Sequence, residues 1–300
     1  MKLIKSVFKN LLPAELINQI RHLRNRNTEL GVLRTEVIKY YSELSDGERS
    51  EEHDQIVSFV KQYGIATFPY RFIFNYDSSK IKVYRDEDLE MHYVLHDGKR
   101  LYFKRSWDEE TVRESYNFLS IEQDEQSPHR YLTDEFYVNQ GDVVLDIGAA
   151  EGNFSLSIVD DASKLYIFEA DSEWIEALTA TFAPWKDKVQ IINKYVSDKN
   201  SKTDVTIDDF ISIDTDANII KIDAEGAEKQ IIAGADKTIK SNKNLKIAIC
   251  TYHNQNDELE LADLLQGYEF KTPTSNGYMF FLEDKLTAPF LRKVLIRAHY

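Results

Sequence analysis

Apolar residues recur at helical spacing in the first part of the chain. Leu30, Leu33, Val37, Tyr40, Tyr41 and Leu44 fall on one face of a helix over residues 30–44. Ser45-Asp46-Gly47 interrupts the pattern and Asp54 to Val60 resumes it, which predicts a second helix over 51–63. A further helix is expected before these, over 14–26. After Gly64 the texture changes to short apolar runs. Phe72-Ile73-Phe74, Ile81-Lys82-Val83-Tyr84 and His92-Tyr93-Val94-Leu95 read as strands. Leu101-Tyr102-Phe103 follows the turn His96-Asp97-Gly98-Lys99, so these last two runs form a hairpin. A helix near 109–120 and a polar stretch, Glu122 to Ser127, come next.

From Gly141 onward strands alternate with helices. Strands are expected at 143–147, 165–168, 189–192, 218–222 and 245–250. Helices are expected from Asn153 and over 173–182, 227–239 and 257–265. Phe270 and Tyr278 to Leu282 supply a closing hairpin with an antiparallel edge. This alternation implies an α/β fold: a doubly wound, mostly parallel, seven-stranded Rossmann-like sheet with helices on both faces. A smaller α+β region precedes it. The expected division is residues 1–125 as that region, selecting substrate or mediating homodimer formation, 126–285 as the sheet domain, and 286–300 as a basic C-terminal tail.

Composition narrows the classes. With 42% hydrophobic and 12% aromatic residues the chain has enough apolar surface for a packed core. A net charge of -14 repels phosphate backbones, so nucleic acid is excluded as the main partner. Cys250 is the one cysteine, which rules out an internal disulfide. No apolar run reaches the roughly 18–20 residues of a membrane span. The segment Met1 to Leu12 is too broken for a signal peptide, so a cytoplasmic protein is expected. Basic residues gather at both ends: Lys2, Lys5, Lys9, Arg21, Arg24 and Arg26 near the start, Arg292, Lys293 and Arg297 near the finish. Either these make weak peripheral contact with an anionic membrane, or two terminal helices pack on the body and turn their charges to water.

Candidate chemistry begins at Asp146-Ile147-Gly148-Ala149-Ala150-Glu151-Gly152-Asn153, where the first strand of the sheet ends and a helix begins. Gly148 permits a sharp turn, and Ala149 and Gly152 keep the backbone bare for a ligand. Such loops lie at the carboxyl end of the sheet, where these folds bind ligands. Glu169 ends the second strand, 23 positions beyond Asp146, where a carboxylate can accept both ribose hydroxyls of an adenosine. A dinucleotide pyrophosphate would be repelled by Asp146. The cationic amino group of a methionine moiety would be welcomed, which favours S-adenosylmethionine. A rival is an NAD(P)-dependent sugar oxidoreductase, because Tyr195 and Lys199 match a Tyr-x-x-x-Lys pair. That pair must lie on a long helix, and the residues around Asp198 read as a turn. A second rival is a non-catalytic scaffold of the same fold.

At these residues the chain resembles the FkbM family of methyltransferases. The resemblance runs through the Asp146 to Phe154 loop, Phe168-Glu169-Ala170, Thr206-Ile207-Asp208-Asp209, and Ile220-Lys221-Ile222-Asp223-Ala224-Glu225-Gly226-Ala227-Glu228. The last block is similar to the family's Lys-x-Asp-x-Glu-Gly-Ala-Glu signature, and the likeness covers roughly residues 125–285. It implies a class I methyltransferase fold with S-adenosylmethionine as donor, and O-methylation, often of a sugar or natural-product hydroxyl. At the end of the fifth strand the family often has a glutamate. Here Ile249-Cys250-Thr251-Tyr252-His253 stands, and the histidine is the residue that carries over.

The expected cofactor set is Asp146, Gly148, Ala149, Ala150, Glu151, Gly152, Asn153, Glu169, Ala170, Asp198 and Asp223. Asp223 ends the fourth strand, beside the first, with Glu225 two residues on. A sugar hydroxyl is a poor nucleophile until its proton leaves, and a placed base adds roughly 10²–10⁴-fold. Asp223, Glu225 and His253 are the catalytic candidates, His253 being best suited to neutral pH. Lys221, on the same strand, is placed to pair with Asp223 and is counted with His129 and Tyr131 on the substrate side. Glu225 and Glu228 also suit a plain helix-capping role. Asp223, Glu225 and His253 have metal-ligand chemistry, but no metal is expected to be required.

Overall fold

The computed structural model describes residues 29–211, 217–283 and 286–300. The helix expected over 14–26 and the basic residues of the first 26 positions lie outside these. The chain forms two compact units. One holds residues 29–73 and Gly277–Arg292, the other Phe74–Asn276 and Lys293–Tyr300.

The first unit is built on α1 (Glu29–Glu43) and α2 (Glu51–Tyr63). α2 starts where Ser50 accepts from the His53 amide and the His53 ring accepts from the Ser50 amide, a reciprocal capping box. Glu51, Glu52 and Asp54 add favourable charge to its first turn. Val37 and Tyr41 of α1 and Ile56, Val57 and Val60 of α2 share a core with Phe280, Leu286, Phe290 and Leu291. Two expectations are corrected here. Residues 286–291 are core rather than a basic tail. Tyr278–Leu282 stays out of the main sheet, with Met279 bridged to Arg292 and Phe280 fully buried. The Phe72–Phe74 run is a 3-10 turn, Arg71–Asn75, rather than a strand.

In the second unit, β1 (Tyr84–Asp86), β2 (Met91–His96) and β3 (Lys99–Tyr102) form an antiparallel sheet, followed by α3 (Glu109–Glu122). The expected hairpin is β2–β3, and it packs in the unit that holds the main sheet rather than with α1 and α2. The Tyr102 amide donates to Thr181 Oγ1 at 3.0 Å, and Lys99 pairs with Asp160 at 2.9 Å.

The main sheet is assembled from β4 (Val143–Ile147), β5 (Lys164–Phe168), β6 (Val189–Ile192), β9 (Ile219–Ile222), β10 (Lys246–Cys250) and β11 (Leu295–Ala298). Between β6 and β9 lie a short parallel pair, β7 (Tyr195–Val196) and β8 (Asp204–Val205). The helices of this half are α4 (Asn153–Ile158), α5 (Ser172–Phe182), α6 (Ile207–Phe210), α7 (Glu228–Ala233), α8 (Asp236–Ser241) and α9 (Asp257–Gln266). Strand order is β11-β10-β9-β4-β5-β6, parallel except for β11. Near-continuous apolar runs such as Val143–Ile147 form these strands because a parallel sheet is covered on both faces. The chain order reverses at β4, between β5 and β9, and that crevice is where such sheets bind ligands.

Among the described residues the sheet has six strands rather than the seven expected, and its antiparallel edge comes from Leu295–Ala298 rather than from Tyr278–Leu282. Residues 271–275 do run beside β11: the Lys271 and Ser275 amides donate to His299 and Leu295, and the His299 and Arg297 amides donate to Lys271 and Pro273. Pro273 has no amide to continue the ladder, so the segment pairs through isolated bridges. The helix expected over 227–239 is α7 plus α8. They part at Gly234, where a Cβ would lie 2.0 Å from the Ser197 carbonyl oxygen. No helix among the described residues is long and apolar enough to cross a membrane.

Candidate active site

Three strand tips meet at the crevice. β4 ends in the glycine turn, β5 in Glu169 and β9 in Asp223. Gly148 has φ +71, and a Cβ there would lie 1.8 Å from the Asp223 carbonyl oxygen. The bare backbone at 148 is therefore required by the neighbouring strand tip. The Gly148 and Ala149 amides both donate to the Phe168 carbonyl, at 3.0 and 3.2 Å. Gly152 has φ +83 and accommodates α5, since a Cβ would lie 2.6 Å from Leu178. Asn153 is buried at the first position of α4, its Oδ1 accepting from the Phe154 amide at 2.7 Å.

Glu169 is oriented by backbone amides. Its Oε2 accepts from Ala150 at 2.9 Å, and its Oε1 from Ala170 and Asp171 at 2.7 and 2.8 Å. A carboxylate held this way still has lone pairs for hydroxyl donors. Glu151 is buried in the same turn, and burial pushes its carboxyl up to about 7 against the pull of Lys221. Asp198 is exposed in the turn after β7. Tyr195 lies in β7 and Lys199 in the following turn, so the Tyr-x-x-x-Lys pair has no helix to align it.

Asp146 and Lys221 are register partners on β4 and β9. Lys221 Nζ lies 3.0 Å from Asp146 Oδ1 and donates to the Gly148 carbonyl at 2.6 Å. Asp146 Oδ2 accepts from Ser155 Oγ at 2.8 Å. Both charged groups are buried. The cation that Asp146 faces is thus a lysine of the next strand, which ties two tips together. Burial works against the Lys221 ammonium, yet Asp146 and Asp223 hold its pKa above the ordinary value. The expected Lys221–Asp223 pairing is replaced by Lys221–Asp146.

Asp223 is the hub of the polar cluster. Tyr131 and Tyr252 donate to its two oxygens at 2.7 and 3.0 Å. His253 Nε2 stands 3.5 Å from Oδ1, and His129 Nε2 stands 3.8 Å from Oδ2. Burial alone would raise the Asp223 pKa, but Lys221, His129 and His253 hold it at about 2. His129 is pushed down to about 4 by burial, despite Asp223 beside it. It lies 3.3 Å from the Tyr252 hydroxyl and serves as a neutral hydrogen-bonding wedge. For His253 burial favours the neutral ring, but Glu228 and Asp223 outweigh it and raise its pKa above the ordinary value.

Glu225 has φ +50 and its side chain is 85% exposed, with Oε2 3.9 Å from His253 Nε2. It stands at the mouth of the cluster, and Glu228 lies at its floor. Glu228 is 1% exposed, accepts from the Ala224 and Gly226 amides at 3.0 and 3.4 Å, and lies 2.9 Å from His253 Nδ1. The structure therefore brings His129, Tyr131, Asp223, Glu225 and His253 together and leaves Asp198 outside. Sequence reasoning treated Glu228 as a cap and passed over Tyr252 and Ser155. The adjacency of Tyr252 to His253 was the available signal. The block Thr206–Asp209 has a structural role: Thr206 caps α6, and Asp208 accepts from the Lys237 and Thr238 amides at the start of α8.

A mostly parallel sheet with a glycine turn at its central strand and acids on the flanking tips defines a Rossmann-like α/β domain. The methyltransferase FkbM domain matches residues 92–272, and the chain belongs to that family. The family's name states methyl transfer, which implies S-adenosylmethionine as donor. Among solved structures the chain is similar to a methyltransferase FkbM from Methylobacillus flagellatus KT. That match has 17% identity and a TM-score of 0.45, covering 63% of this chain and 51% of that one. The chain thus spans about half the length of that protein. It is also similar to a precorrin 8W decarboxylase from Methanobacterium thermoautotrophicum, with 13% identity and a TM-score of 0.39, covering 54% of this chain and 83% of that one. An rRNA methylase from Streptococcus thermophilus matches with 11% identity and a TM-score of 0.39, covering 54% of this chain and 88% of that one. No curated protein matches.

The residues fit the implied donor. Its ligand chemistry is a cationic sulfonium, an amino group and two ribose hydroxyls. Around the glycine turn stand the amide-held carboxylate of Glu169 and the buried carboxyl of Glu151, whose ionisation a nearby cation would favour.

Proposed function

We propose that the protein transfers a methyl group from S-adenosylmethionine to a hydroxyl oxygen of a saccharide or related metabolite. The observation that carries this reading is the cluster at the tips of β9 and β10. Asp223, Glu225 and His253 lie within 3.5–3.9 Å of one another through the imidazole, next to the glycine turn. A bound donor supplies an electrophilic methyl carbon. The chain's own residues then have three tasks. Glu169 holds the ribose edge and Glu151 faces the cationic end. Tyr131 and Tyr252 fix the Asp223 carboxylate in one orientation. The carboxylate and imidazole cluster receives the acceptor hydroxyl and draws off its proton as the carbon–oxygen bond forms. Alignment and proton removal together set the rate in such an in-line displacement. A cluster of hydrogen-bond acceptors suits a hydroxyl-rich acceptor and gives no advantage to an apolar one.

The reading is tested by offering the purified chain labelled methyl donor and a cell extract, then identifying the labelled product. A methyl ether on a saccharide is expected. Label on nucleic acid or on nitrogen would overturn it. Tight donor binding with no label transferred to any product would make the domain a scaffold.

A further inference from the structure

We propose that Glu228 is the positioning residue of a carboxylate–imidazole dyad, holding His253 so that its Nε2 takes the proton of the acceptor hydroxyl. The inference rests on the methyl-transfer reading and deepens it, by naming the atom that accepts the proton and the residue that prepares it. The two ring nitrogens of His253 face different surroundings. Nδ1 lies 2.9 Å from Glu228 Oε1. Nε2 lies 3.5 Å from Asp223 Oδ1 and 3.9 Å from Glu225 Oε2. A carboxylate accepts and does not donate, so the short contact with Glu228 selects the neutral ring with its proton on Nδ1. The lone pair then sits on Nε2, the nitrogen on the side of Asp223 and Glu225. Both contacts on that side exceed the roughly 2.7–3.2 Å of a hydrogen bond from nitrogen to oxygen. Asp223 and Glu225 therefore act on the ring through their charge.

Both partners are fixed by their own backbone. The turn before α7 has two successive left-handed residues, Glu225 at φ +50 and Gly226 at φ +93. It brings the Ala224 and Gly226 amides onto Glu228 Oε1, at 3.0 and 3.4 Å. Amide contacts alone would make Glu228 a plain cap of α7. The imidazole on the same oxygen gives it a second task, in a place where the residue is buried from bulk water. His253 is held from both sides along the chain. Tyr252, whose ring lies 4.3 Å from the imidazole, donates to Asp223, and the Asn254 amide donates to Asp257 at 2.8 Å. Across Asp223 stand Lys221, committed to Asp146, and His129, which burial keeps neutral above about pH 4. The net field on His253 is thus that of Glu228, Asp223 and Glu225, which favours a positive ring. That charge arises in the reaction. The acceptor oxygen bonds to the methyl carbon as that carbon's bond to sulfur breaks, the electron pair staying on sulfur. The hydroxyl proton passes to Nε2 and the ring becomes an imidazolium, balanced by Glu228 at Nδ1 and by Asp223 and Glu225 at Nε2, until the proton leaves to solvent.

The first arm of the test needs no methyl acceptor. Two-bond proton–nitrogen NMR of the full chain carrying ¹⁵N-histidine, with His253→Asn to assign the signals, reads the tautomer and the titration of this ring. The neutral ring should carry its proton on Nδ1, and Glu228→Gln should lower the pH at which it titrates by about one unit or more. The second arm follows transfer of label from the methyl donor into product as a function of pH. Turnover should rise as the ring loses its proton. Glu228→Gln should move that rise to lower pH and cut the plateau by about 10-fold or more with donor binding unchanged, a pattern that a merely structural role would not produce. Should Glu228→Gln fail to fold, the tautomer of the wild type decides the matter alone. A neutral ring protonated on Nε2, or a titration and a rate profile indifferent to Glu228→Gln, would overturn the dyad and leave the methyl-transfer reading standing. The expected tautomer and shift with no label transferred to any product would sink the methyl-transfer reading and leave the pairing of Glu228 with His253 intact.

Discussion

Glu151 shows how one residue type changes meaning with its surroundings. In the sequence it is one acid among 51 Asp and Glu residues, read as part of a ligand loop. In the fold its carboxyl is buried and raised from 4.5 to about 7. An acid whose folded pKa is raised binds more protons in the folded state, so stability is highest below the unfolded pKa and falls as pH rises through the folded one. The wild type is therefore expected to lose stability between pH 4.5 and about 7, by up to roughly 3 kcal/mol. Glu151→Gln should be free of that loss, and denaturant unfolding of both proteins across this range checks it. A variant with an unchanged slope would show that the group is not the one titrating. Gly148 makes the complementary point. Its Cβ would overlap the Asp223 carbonyl at 1.8 Å and its φ is +71, so Gly148→Ala should destabilise by more than about 3 kcal/mol or prevent folding. Thermal denaturation measures this. That a glycine was needed at 148 was legible in the sequence. That a neighbouring strand tip also demands it was not, because the contact spans 75 positions.

Elements carry the next level of argument, and β4 with β9 is the clearest case. Their apolar runs were legible because a strand covered on both faces is apolar almost throughout. The polar exception on each, Asp146 and Lys221, read as ligand-facing in isolation. Register places them side by side, and a buried ion pair results. Removing one member of such a pair strands the other in a dry site. Lys221→Met should lower stability by about 3–5 kcal/mol, while the double change Lys221→Met with Asp146→Leu should recover most of it. Equal losses in the single and double variants, measured by chemical denaturation, would show that the pair does not act as a unit. Other elements were less legible. Phe72–Phe74 became a 3-10 turn because a three-residue apolar run carries too little period to separate the two. The break between α7 and α8 depends on Ser197 approaching Gly234, which no local pattern reports.

At the scale of the molecule the chain does not divide where its texture changes. Residues 286–291 belong to the core of the first unit, and Leu295–Ala298 completes the sheet of the second. All eight backbone positions of the β10–β11 pairing depend on that last strand. Truncation before Lys293 should leave β10, apolar from Ile247 to Cys250, as an exposed edge. Loss of soluble, cooperatively unfolding protein is the expected result, whereas removal of a mere tail would leave the thermal midpoint unchanged. The basic residues at this end show the same reversal: Arg297 donates to the Tyr131 carbonyl at 3.1 Å and so braces the segment that carries the Asp223 clamp.

By itself the sequence determined the alternation of strands and helices, the glycine turn, and the acids at the strand ends, because periodicity and turn chemistry are written within a few neighbouring residues. Membership of a methyltransferase family was legible for the same reason, through short contiguous blocks. Tertiary structure decided which acid meets which cation, why each glycine is bare, and that Glu228 stands under His253 rather than capping a helix. Those outcomes depend on register and burial between segments far apart in the chain, and no local pattern encodes them.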